Sequence, residues 1–171
     1  MERSEWIGKL ELVHDALRSG AAVPEAERAW YRRARQELLA AAVAEQNAPV
    51  IGDERPRKAL RLERAVPVRL GGDGLALDWM TTDLGIGGFA VATSAPLDPD
   101  RVTWAELDLP TGRVGARVRV VGAVASGPRM RVSFAFEDPS QAAAAALGDY
   151  VLDELLPQIV FWDQVLEKVR Y

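Results

Sequence analysis

The chain has 171 residues, 49% of them apolar and 27% charged, with 21 lysines and arginines against 25 aspartates and glutamates. That is the make-up of a soluble globular protein with one domain and appendages, and it excludes a disordered or fibrous chain. There is no cysteine and a single histidine, His14, which removes disulfides, thiolate metal sites and cysteine nucleophiles and leaves almost no material for histidine chemistry.

The opening Met1-Glu2-Arg3-Ser4-Glu5 has mixed charge and leads into no apolar signal core, and no apolar run reaches the roughly 18 to 20 residues of a membrane span. The expected setting is therefore the cytoplasm, with no membrane insertion. Ile7, Leu10, Val13 and Leu17 recur at helical spacing, with Ser4 as the expected cap and Gly20 suited to the left-handed turn beyond. A second helix opens near Pro24 and carries Ala26, Trp30, Ala34, Leu38 and Ala41 on one face. Residues 1–47 thus read as a helical hairpin. Residues 48–56, with two prolines and a glycine, read as a connector.

From about residue 62 the period changes to two. Arg113 to Val120 alternates, and Met130 to Glu137 does so more strictly. Gly71-Gly72-Asp73-Gly74, Pro110-Thr111-Gly112 and Ser126-Gly127-Pro128 mark turns between about six short strands that leave no room for crossover helices. An antiparallel barrel removes their exposed edges. Asp138 and Pro139 then open a helix with Ala143, Leu147, Tyr150 and Val151 inward. Pro157 is expected to end it before a last short helix, residues 157–171, with Ile159, Trp162, Val165, Leu166 and Val169 on its apolar face. The fold class is α+β: a six-stranded antiparallel β-barrel over residues 57–156 with its trailing helix, flanked by the N-terminal hairpin and the C-terminal helix.

Few residues offer catalysis. Gly85, Gly87 and Ala90 match G-x-G-x-x-A, but Phe89 to Thr93 reads as strand where a dinucleotide site needs a helix. The serines have no histidine partner nearby, and acidic pairs such as Asp98 and Asp100 read as solvated surface. The chain is expected to be no enzyme and to hold no metal. Arg57-Lys58-Ala59-Leu60-Arg61 and Asp83-Leu84-Gly85-Ile86-Gly87-Gly88 are more informative. Arginines four apart supply forked donors for phosphate or the acceptor edge of guanine, and a carboxylate complements the guanine N1–H and N2–H donors. The glycines let backbone approach closely. A basic strand edge followed by a glycine turn is the plain structural alternative.

Arg57-x-x-x-Arg61, then Val66 to Leu70, then Thr82 to Val91 together resemble the PilZ domain, whose signature is R-x-x-x-R followed by [D/N]-x-S-x-x-G. The resemblance extends over about residues 55–156 and implies a six-stranded barrel that receives the bacterial second messenger cyclic di-GMP and relays the signal to a protein partner. It carries the family's ligand roles to Arg57, Arg61, Asp83 and Gly88, and Lys58 and Gly85, inside the same two motifs, are expected to line the site with them. Gly85 stands where the family has serine, which removes a hydroxyl from the site. The alternative is a degenerate PilZ scaffold that binds protein without nucleotide. Trp30, Leu38, Trp162, Val165 and Val169 are expected either to pack on one another or to form a surface for a partner or a second copy of the chain. Six basic residues between Arg55 and Arg69 on a chain of net charge -4 make a footprint suited to a small phosphate ligand rather than nucleic acid.

Overall fold

The computed structural model describes residues 2–48, 58–71, 77–94, 97–159, 163–167 and 169. The chain divides into two compact units, Met1–Leu60 with Leu155–Tyr171, and Arg61–Glu154.

In the first unit, α1 (Arg3–Arg18) and α2 (Glu25–Asn47) form the expected hairpin, and Gly20 takes the left-handed conformation with φ +74°. Ser4 does not cap α1; the Glu5 carboxylate instead accepts the Glu2 N–H at 3.2 Å. The buried stripe of α1 is Trp6, Leu10, Val13 and His14, rotated from the expected Ile7, Leu10, Val13 and Leu17. Trp6, the bulkiest apolar group available, takes the inner place and meets Trp30 edge-on at 6.2 Å. His14 can be buried because its Nδ1 shares a 2.6 Å hydrogen bond with the Tyr31 hydroxyl. The α2 stripe shifts in concert. Tyr31, Ala34, Leu38, Ala41 and Ala42 are buried, whereas Ala26 is exposed and Trp30 half-buried. α2 packs on α1 and on α4 (Asp163–Glu167). Leu38, Val165 and Val169 are all buried within the chain, so they offer no apolar surface to a partner. Trp162 lies outside the described residues.

In the second unit the strands are β1 (Arg61–Leu62), β2 (Pro67–Gly71), β3 (Leu77–Gly85), β4 (Gly88–Thr93), β5 (Val102–Leu109), β6 (Gly112–Ser126) and β7 (Arg129–Glu137). Six of them, in the order β3-β2-β5-β6-β7-β4, close into an antiparallel barrel because β4 pairs back to β3. The short β1 is an addition outside this ring, paired to the C-terminal end of β3. Alternation along the wall sends Leu84, Phe89, Val91, Leu107, Val118 and Phe134 inward, each with 0% exposure. Burial of this kind is worth roughly 1.5 to 3 kcal/mol per large side chain. Turns fall at Pro110-Thr111 and Gly127-Pro128 as expected, while residues 72–74 of the expected glycine turn lie outside the described residues.

The trailing helix α3 (Gln141–Ile159) buries Ala143, Leu147, Tyr150 and Val151 as its spacing predicts. Its cap is Ser140, whose Oγ accepts the Ala143 N–H at 3.2 Å, and not Asp138, which sits at φ +43°. Pro157 does not end the helix. It lies in the last turn, where the hydrogen bond it removes is one of few that remain before the terminus. No helix among the described residues is long and apolar enough to cross a membrane.

Candidate functional site

β1 lies directly against β3, with Arg61 opposite Gly85 and Leu62 opposite Leu84. Opposed residues share a face; Leu62 and Leu84 are buried inward, so Arg61 and Gly85 belong to the outer wall. Asp83 joins them because of a bulge. The β3–β4 register runs Thr81↔Val91, then Asp83↔Ala90, leaving Thr82 as the extra residue. Without that insertion Asp83 would point into the barrel, and a bulge re-aims a side chain in this way.

The gap between β1 and β2 is held from β3 by Thr81, which is 2% exposed. Its hydroxyl donates to the Arg64 carbonyl at 2.6 Å and accepts the Val66 N–H at 2.9 Å. The Thr81 N–H donates to the Val66 carbonyl at 2.9 Å. One side chain thus satisfies two backbone groups that the interrupted ladder would leave open, and it fixes the strand that carries Arg61.

Asp83 is 6% exposed, so its charge requires partners. Arg61 Nη1 donates to Oδ1 at 3.0 Å. Arg131, from β7, donates through Nη2 to Oδ2, and the Thr82 hydroxyl reaches Oδ2 at 3.4 Å. Arg131 also places Nη1 3.4 Å from the Ser133 hydroxyl. The outer wall around this cluster is built of small residues. The register aligns Gly85 with Gly88 and Asp83 with Ala90, then Ala90 with Ser133 and Ala92 with Arg131. A groove of about 620 Å3 opens beside it on the same wall, touching Thr82 and Ala92. Within that groove Arg69 is paired with Asp78 at 2.8 Å.

The structure therefore brings Arg61, Asp83, Gly85 and Gly88 into one neighbourhood. Lys58 is exposed at the bend before β1. Arg57 lies outside the described residues. Gly88 has a packing reason of its own. It sits at φ +154°, and a Cβ there would stand 2.0 Å from the Phe134 carbonyl oxygen. Gly85 is buried in ordinary strand. Sequence reasoning missed Arg131, although its alternation in β7 put it on the outer face. Only the β4–β7 register shows which carboxylate it meets. The chemistry of the cluster is plain: forked cationic donors around an acceptor-only carboxylate, on a wall of small residues.

The family model for the PilZ domain matches residues 55–153. The chain belongs to the PilZ domain family. No curated protein sequence matches it. Among solved structures, the fold is similar to the Bacillus subtilis inhibitor of motility, MotI/DgrA, at 12% identity and a TM-score of 0.56, over 61% of this chain and 54% of that one. It is similar to Escherichia coli YcgR in complex with c-di-GMP at 16% identity and a TM-score of 0.55, over 65% and 51%. The K. pneumonia MrkH–c-di-GMP complex matches at 16% identity and a TM-score of 0.54, over 63% and 56%. The chain thus spans about half the length of these proteins, and at such identities the likeness is one of fold.

Proposed function

We propose that this chain is a cyclic di-GMP receptor that relays the ligand's presence to a protein partner. The observation that carries the reading is the Arg61–Asp83 ion pair. Two motif residues 22 positions apart in sequence meet on the outer wall at 3.0 Å, next to Gly85 and Gly88. Family membership supports it, as do the c-di-GMP complexes among proteins of similar fold. In this reading Arg57, Lys58 and Arg61 hold phosphates and the acceptor edge of guanine, and Asp83 accepts guanine N1–H and N2–H. Gly85 and Gly88 let the ligand approach the wall.

A second reading, a scaffold that binds protein without nucleotide, is favoured by one observation: Gly85 in place of the family's serine leaves the site a hydroxyl short. Calorimetric titration with cyclic di-GMP, and with GMP and GTP for comparison, decides between them. A receptor gives a saturable signal for cyclic di-GMP in preference to the linear nucleotides. Absence of heat and of any thermal shift at high micromolar ligand supports the scaffold.

A further inference from the structure

Asp83 is engaged beyond the two sequence motifs. Asp83 faces Ala90 on β4, and Arg131 on β7 faces Ala92, one outward position further along the same strand. To reach Asp83 Oδ2, the Arg131 side chain must therefore cross the outer surface of β4. Ala90 has 0% exposure although the register turns it outward, as expected of a methyl group beneath such a crossing. With Arg61 on Oδ1 and both Arg131 and Thr82 on Oδ2, each carboxylate oxygen is engaged.

Guanine offers N1–H and N2–H as adjacent parallel donors, and a guanidinium offers the same fork. Arg131 gives Asp83 a single N–H, from Nη2 to Oδ2, while its Nη1 lies toward Ser133; it thus occupies the acceptor that one of the two guanine donors would need. We propose that Arg131 sets the affinity of the site as an internal stand-in for the guanine edge, which must leave Asp83 Oδ2 before a base can pair there. The inference rests on the receptor reading above. Arg61 is subject to the same displacement but meets phosphate in exchange, whereas Arg131 gains no ion pair from a neutral base.

The test is calorimetric titration of cyclic di-GMP into the wild-type protein, Arg131→Met and Arg131→Gln, with each variant's folding checked by thermal unfolding. Methionine keeps an unbranched stem over Ala90 and removes the fork. Glutamine removes the charge but keeps an amide donor, so it serves, with a smaller expected gain, should the methionine variant be unstable. Loss of one charge-assisted contact that the base must displace predicts binding roughly tenfold tighter in Arg131→Met. Binding detected only in the variant supports the inference equally. Equal or weaker affinity in a folded Arg131→Met overturns the inference and leaves the receptor reading intact. No heat with either protein overturns both.

Discussion

At the residue scale, Arg61 and Gly85 make opposite predictions about one site. In the proposed receptor Arg61 contributes a charge-assisted contact to the ligand, so Arg61→Ala should weaken cyclic di-GMP binding by roughly ten- to a hundredfold while the fold survives. Arg119→Ala is the control, because Arg119 is paired with Glu137 at 2.6 Å and not with Asp83. If Arg119→Ala rather than Arg61→Ala loses binding in a calorimetric titration, the site lies elsewhere on the wall. Gly85→Ser should raise affinity by up to about tenfold through one added hydrogen bond. Gly85 is an extended residue of β3, so the serine meets no backbone strain there. A fall in both affinity and melting temperature would mean that the wall at Gly85 has no room for the side chain.

At the element scale, the strand carrying Arg61 depends on Thr81. Thr81→Val keeps the shape and deletes the hydroxyl, leaving the Arg64 carbonyl and the Val66 N–H without that partner. The expected loss is about 1 to 3 kcal/mol in urea unfolding, with faster exchange of the Val66 amide. Unchanged stability would show that water replaces the hydroxyl without penalty. α3 makes a prediction about alkaline pH. Tyr150 is pushed above its ordinary range, first by burial and then by the Glu154 carboxylate, with Arg64 opposing. The folded state therefore holds the phenol proton more tightly than the unfolded chain does. Stability from this source is whole below the ordinary tyrosine value of about 10 and is lost as pH rises through the higher folded value. Tyr150→Phe should flatten the decline in unfolding midpoint between about pH 9 and 11; an unchanged slope would assign it to other groups.

The elements themselves were largely legible, because period two and turn residues are local signals: β7 and the inner stripe of α3 fall where their patterns put them. Phase within a helix was less so. Trp6 and His14 are buried through partners on α2 that α1 alone does not reveal. Pro157 misled because a proline's cost depends on how many turns follow it. The two motifs singled out Arg61 and Asp83, which the structure pairs, but gave no sign of Arg131, whose contact with Asp83 depends on a long-range register.

At the scale of the whole molecule, the boundary between the two compact units falls between Leu60 and Arg61, inside Arg57-x-x-x-Arg61. In the proposed receptor the ligand is held by both arginines of this motif, so its binding would be felt in the chain leading into Arg61. Hydrogen exchange with and without cyclic di-GMP should then show altered protection in residues 48–61 and in α2 as well as around Asp83 to Gly88. Changes confined to Arg61 and Asp83 to Gly88 would mean that ligand binding is not transmitted to the helices.

The close approach of β7 to Gly88 bears on how chains of this fold are told apart. Any barrel that brings a carbonyl to 2.0 Å from where a Cβ would stand must keep glycine there, whether or not it senses anything. That glycine is an architectural mark. Arg61 and Asp83 carry no such mark, so under the receptor reading proposed above it is at them, and not at Gly88, that a loss of sensing would be read.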